Sequence, residues 1–129
     1  MVVVDRSAWI EYFNDGEPSI LGRVDRCLSQ DLVGIGDLVY CEVMQRFRSA
    51  VQRRRVSELL LALPRFGMVG FRVAEKGAAN YRLLRTRGLT VRKTIDVLIE
   101  TFCADNDLPL THCDRNFDVM APHIGLRTV

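Results

Sequence analysis

Four carboxylates, Asp5, Glu42, Asp96 and Asp114, are the side chains of this sequence best suited to chemistry. Three of them, Asp5, Asp96 and Asp114, fall where a parallel α/β sheet brings acids to one edge. Acids gathered in this way repel one another and hold protons more tightly, so they would titrate as a coupled group and are costly to assemble without a cation. The expected chemistry is that of a carboxylate-bound metal ion, and activity resting on it should fail in acid.

The elements that must position these acids are legible locally. Val2, Val3 and Val4 form a β-branched run suited to a strand buried on both faces, which puts Asp5 at its carboxyl end. Pro109 to His112 reads as a late strand after the polar Asp105-Asn106-Asp107, with Asp114 just beyond it. Between them, Ile95, Leu98, Ile99, Phe102 and Cys103 recur at helical spacing, with Thr94 as the expected N-cap. Asp96 then lies in the first turn, where the helix dipole favours a carboxylate and where helices of doubly wound folds face the crevice outside the strand ends. Glu42 lies within a helix predicted from about 38 to 51, and only tertiary structure can aim it.

The rest of the chain alternates strands and helices. A helix is expected from near Ser7 to Asn14-Asp15-Gly16, and another opened by Pro18 with Ile20, Leu21, Val24 and Leu28 on its apolar face. A short strand over Leu32 to Ile35 precedes a helix capped by Asp37. Then come a helix from about Arg54 to Leu63, a strand over Met68 to Val73, a helix over Ala74 to Arg87 stopped by Gly88, and a last strand over Leu126 to Val129. This order predicts a single α/β domain over residues 1–129, a three-layer α/β/α sandwich with a short, mainly parallel central sheet.

With 129 residues, 48% of them hydrophobic, the chain is long enough for one core. It has no long apolar run and no signal-peptide pattern, so a cytoplasmic protein without membrane attachment is expected. A net charge of +2 is too mild to point to nucleic acid, and the distribution is more telling. Arg46, Arg48, Arg53, Arg54 and Arg55 form one basic stretch; Arg82, Arg85, Arg87, Arg92 and Lys93 form another that leads into Asp96. Cys27, Cys41, Cys103 and Cys113 show no C-x-x-C pairing, and His112, Cys113 and His123 have no zinc-ligand spacing, so reduced thiols are expected.

At these residues the chain resembles a known family. Its opening, Val2-Val3-Val4-Asp5-Arg6-Ser7-Ala8-Trp9-Ile10, is similar to that of PIN domains, in particular bacterial VapC-type toxins. Leu38 to Met44 around Glu42, Thr94 to Ile99 around Asp96 and Leu110 to Asp118 around Asp114 resemble the later blocks, in order and over essentially the whole chain. The resemblance implies a metal-dependent endoribonuclease, the toxin of a toxin–antitoxin pair, with Mg²⁺ (or Mn²⁺) held by Asp5, Glu42, Asp96 and Asp114. It also implies a VapB-type antitoxin and commonly a toxin homodimer. Arg6 stands where relatives carry a small polar residue, and Asn116 where many carry another Asp, which removes a charge and counts against a second metal; Asp118, close by, either compensates or is an ordinary surface acid.

Mg²⁺ takes oxygen ligands and only a few carboxylates directly. Asp5 and Asp96 are therefore expected as principal ligands, Asp114 as ligand or water-orienting group, and Glu42 as outer-shell or second-ion ligand. Ser7 would support Asp5 or a water, while Arg92 and Lys93 would meet RNA phosphates, with a single-stranded loop of structured RNA as target. Each acid alone has a plainer explanation: Asp5 ends a strand, Asp96 suits a helix dipole, and Glu42 has Arg46 four residues on for an ion pair. The competing function is a catalytically weakened PIN-like module that binds RNA or protein. Trp9, Tyr12, Val43, Met44 and Phe47 are expected in the core or under a partner helix.

Overall fold

The computed structural model describes residues 1–30, 32–91 and 93–129. Among them, the β-branched run forms β1 (Val2–Val4), buried throughout. It is followed by α1 (Arg6–Phe13), α2 (Pro18–Ser29), β2 (Val33–Gly36), α3 (Asp37–Met44), α4 (Ala50–Leu61) and β3 (Arg65–Phe66). The second half holds α5 (Phe71–Thr86), α6 (Thr94–Asp105), β4 (Leu110–Thr111) and α7 (Arg115–Ile124).

The strands pair in parallel in the order β3-β2-β1-β4. The first two crossovers step outward from β1 to β2 to β3, whereas the third returns past both to the far side of β1. Because parallel crossovers are right-handed, this reversal puts α5 and α6 on the face opposite α1 to α4, giving the expected three layers. It also opens a crevice at the carboxyl ends of β1 and β4, the place where α/β sheets bind ligands. Register holds those ends level: Val4 faces Thr111, and the Asp5 N–H donates to the Thr111 carbonyl at 2.8 Å.

The core fills both sides of the sheet. Trp9 is fully buried, stacks on Phe13 at 5.5 Å between centroids, and Phe13 meets Phe47 edge-on at 6.0 Å. Val43 and Phe47 are also buried, so these apolar residues belong to the chain's own core, with Tyr12 and Met44 half-buried at its margin.

Several expected elements differ. The helix predicted over 38–51 stops at Met44, and the one predicted from about Arg54 to Leu63 starts earlier, at Ala50, because Ser49 caps it: its hydroxyl accepts from Gln52 N–H at 3.3 Å. The Arg53 guanidinium donates to the carbonyls of Phe47 and Arg48, satisfying the break. The strand predicted over Met68 to Val73 is absent; the paired residues are Arg65 and Phe66, directly after Pro64, and α5 starts at Phe71. Met68 is buried as a plug over Gly36, where a Cβ would collide with its side chain. The last strand reduces to one bridge between Leu110 and Thr128. Residues 115–124, given no element from sequence, form α7, which buries Phe117, Met120 and Ala121 and ends on left-handed Gly125; Pro122 within it obscures the helical pattern. Lys93 and Gly36, not Thr94 and Asp37, are the N-caps of α6 and α3, a one-residue shift.

Candidate metal centre

Asp5 leaves β1 and caps α1, and it is only 1% exposed. Its Oδ2 accepts two hydrogen bonds from Ser7, from the backbone N–H at 2.9 Å and the hydroxyl at 2.8 Å. Its Oδ1 is buried with no partner among the described residues. One oxygen is thus clamped, which fixes the direction of the other. The Ser7 hydroxyl also accepts from Cys113 N–H at 3.1 Å, tying the end of β1 to the loop after β4.

That loop carries Asp114, half-buried, which caps α7 by accepting from Asn116 N–H at 2.9 Å. His112 steadies it: Nδ1 accepts from Asp114 N–H at 3.1 Å, and the ring packs edge-on against Phe117. This assigns the ring proton to Nε2, 3.4 Å from Asp118. Burial pushes the His112 pKa down. Asp118 is therefore engaged with His112 and is largely exposed, and the Asn116 side chain lies at the surface.

Asp96 is 5% exposed in the first turn of α6. Burial pushes its pKa up first, the Asp5 charge next, with Asp114 adding and Lys93 and Arg6 opposing. Glu42, 8% exposed on α3, is likewise raised, chiefly by burial, with Arg6 opposing and Asp5 and Asp96 adding. It pairs with Arg6 (Nε to Oε2 3.7 Å) rather than with Arg46, and its Oε1 has no partner among the described residues. Arg6, the departure at the opening block, thus offsets charge within the cluster. From two helices and two strand ends, the fold brings Glu42 within electrostatic reach of Asp5 and Asp96, and Asp96 within reach of Asp5 and Asp114.

A fifth acid joins them. Glu100, one turn beyond Asp96 on α6, is 0% exposed, and neither carboxyl oxygen has a partner among the described residues. Burial, then Asp96, Asp5 and Asp114, push its carboxyl up to about 9. No motif marks it; its one signal in the sequence is the i,i+4 spacing from Asp96, which puts both acids on one helix face.

Of the expected substrate contacts, Ser7 is committed to Asp5 and Cys113, Lys93 is exposed beside Asp96, and Arg92 lies outside the described residues. Lys93, Asp96 and Asn116 line a cleft of about 60 Å³. Several arginines of the basic stretches are engaged elsewhere: Arg54 with Glu58, Arg85 over Tyr81, and Arg87 with His123. A larger cavity of about 490 Å³ between α5 and α6 is apolar, lined by Val69, Tyr81, Val97 and Leu98, and holds none of the acids.

Among the described residues, no three acidic, histidine or cysteine side chains already close around a single point as a finished cage. The residues nevertheless fit a hard divalent cation. Four buried carboxylate oxygens, Asp5 Oδ1, Glu42 Oε1 and both of Glu100, lack a donor among the described residues, and the acids repel one another in a buried crevice. Only protons or a cation relieve that combination, and Mg²⁺ needs few direct carboxylates because it keeps several waters.

A parallel sheet with acids gathered at its switch point defines a class of α/β domains, and within that class the chain belongs to the PIN domain family, whose model matches residues 2–121. Among its relatives are VapC ribonuclease Mb1587 of Mycobacterium bovis and ribonuclease VapC11 of Mycobacterium tuberculosis. Each is 29% identical over 126 residues, covering 94% of this chain and 92% of the relative. Similar solved structures include VapBC2 from Rickettsia felis bound to a promoter DNA fragment (TM-score 0.77, 13% identity, 100% of this chain and 98% of that one). DNA-bound VapBC from Salmonella typhimurium is comparable (TM-score 0.76, 16% identity, 100% and 98%). At these identities the solved structures speak for the fold.

Proposed function

We propose that this chain is a divalent-metal-dependent endoribonuclease, the toxin of a type II toxin–antitoxin pair, acting in the cytoplasm on structured RNA at a single-stranded loop. The observation that carries it is the gathering of Asp5, Glu42, Asp96 and Asp114 near the carboxyl ends of β1 and β4, with buried oxygens that have no donor among the described residues. The VapC ribonuclease relatives support RNA as the substrate class, and the likeness to VapBC complexes supports a VapB-type antitoxin as the partner; the toxin would itself form a homodimer, as the family resemblance implies.

Asp5 and Asp96 would hold the ion, Asp114 would hold it or orient a water, and Glu42 would stand behind them with Arg6 limiting its charge. When bound, Mg²⁺ or Mn²⁺ supplies charge stabilisation at the scissile phosphate and a more acidic water. Ser7 keeps Asp5 aimed by holding one carboxylate oxygen. Lys93, exposed at the rim beside Asp96, would meet the RNA backbone and draw it over the acids. An antitoxin that inserts a basic side chain among these carboxylates would compete with both.

The test is cleavage of structured RNA by purified protein with Mg²⁺, Mn²⁺ or chelator, alongside folded Asp5→Asn and Asp96→Asn variants. Metal-stimulated cleavage abolished in both variants supports the enzyme. Variants that cut as well as the parent point to a contaminating nuclease, and a parent that binds RNA without cutting it leaves the non-catalytic module. Sequencing 5′ ends of cellular RNA after induction then identifies the target.

A further inference from the structure

We propose that Glu100 is an additional ligand of the divalent cation, giving oxygen from the floor of the carboxylate cluster beneath Asp96. This rests on the metal-dependent reading above and extends it to a residue outside the four acids of the family pattern.

Two of the other buried acids at the crevice have something to hold them. Asp5 has Ser7, and Glu42 has Arg6. Glu100 has nothing: it is wholly buried, and both carboxyl oxygens are without a partner among the described residues. Its strongest electrostatic neighbours are three more acids, Asp96, Asp5 and Asp114. Position is set by the helix, since residues four apart share a face and Asp96 occupies the turn nearer the crevice. A leucine or methionine of similar volume would fill that space without desolvating a carboxyl group or adding repulsion. What a carboxylate does there that an apolar side chain does not is offer hard oxygen ligands, the kind Mg²⁺ and Mn²⁺ take.

The experiment uses the metal-free full-length protein titrated with Mn²⁺ at neutral pH, with free Mn²⁺ read from its electron paramagnetic resonance signal and stability read from thermal melts. Parent, Glu100→Gln, Glu100→Asp and Asp96→Asn are compared. Glu100→Gln, isosteric and neutral, should melt higher than the parent without metal, gain less from added Mn²⁺, and bind it at least about 10-fold more weakly or with one ion fewer. Glu100→Asp, which withdraws the oxygens by one methylene, should also lose affinity, and it decides the matter should the glutamine variant not fold. Parent-like Mn²⁺ binding in the Glu100 variants, with binding lost in Asp96→Asn, overturns the assignment of Glu100 and leaves the metal-dependent reading intact. A parent that binds no Mn²⁺ overturns both.

Discussion

At the scale of single residues, the economy of the site lies in how few donors it offers its acids. Ser7 is the main one, and its two bonds to Asp5 fix which oxygen faces the crevice. Ser7→Ala should therefore cost only about 1 kcal/mol of stability, by denaturant melts, while lowering RNA cleavage about 10-fold or more. Glu100 gives a signature in pH. Its carboxyl is raised from an ordinary 4.5 to about 9, so the folded chain binds this proton more tightly than the unfolded chain does. Its stabilising contribution is complete below the ordinary value and is lost as pH climbs toward the raised one. The metal-free parent should thus lose stability from about pH 7 to about pH 9, on the order of a few kcal/mol at most, and Glu100→Gln should be flat there. The downward-shifted His112 acts in the opposite sense at lower pH, where its neutral folded form is lost on acidification, and the raised Cys103 and Cys113 thiols act mainly above their ordinary value of 9.0, so the signal of Glu100 is read between the two. Equal melting temperatures for the parent across that window would sink this account of the buried carboxyl.

At the scale of elements, the acids double as structural caps. Asp5 opens α1 and Asp114 opens α7, each accepting from the N–H two residues on. The two duties can be separated at Asp114, because asparagine caps as well as aspartate whereas alanine does not. Asp114→Asn should leave thermal stability near the parent's and depress metal-stimulated cleavage. Asp114→Ala should show the same loss of cleavage and about 1 kcal/mol less stability. If the asparagine variant retains full activity, Asp114 is a cap alone. The break between α3 and α4 has a similar logic. Ser49 caps α4 while Arg53 bonds the preceding carbonyls, so an apolar pattern that runs on past Met44 is interrupted by local polar chemistry.

At the scale of the whole molecule, topology decides where charge accumulates. The reversal between β3 and β4 sets α6 beside the ends of β1 and β4, so a chain of net charge +2 acquires a strongly acidic crevice. RNA must then be drawn in by cations at its rim. Lys93→Ala should weaken RNA binding across sequences and reduce the slope of log affinity against log salt by about 0.7, one phosphate contact to a single strand. An unchanged slope in filter binding at several salt concentrations would remove Lys93 from the interface. Added Mg²⁺ should raise the melting temperature of the parent and do so less in Asp96→Asn, since a ligand bound only by the folded chain stabilises it by mass action.

Much of this was readable before any coordinates. Strand ends announce themselves through β-branched runs, and helix starts through apolar periodicity, so the places of Asp5, Asp96 and Asp114 followed from their neighbours in the chain. The strand at Arg65–Phe66 and helix α7 did not, because a two-residue strand leaves no period to read and Pro122 masks the helix that contains it. Glu42 and Glu100 were beyond local pattern for a different reason. A carboxylate's function depends on which way its oxygens point and what else points there, and both follow from packing between elements far apart in sequence. The chain's order of residues determined the kinds of group available and the segments carrying them; the crossover of α6 to the far face of the sheet decided that Asp96 and Glu100 would come within reach of Asp5 and Asp114, because only three-dimensional closure brings separate charges into one low-dielectric space.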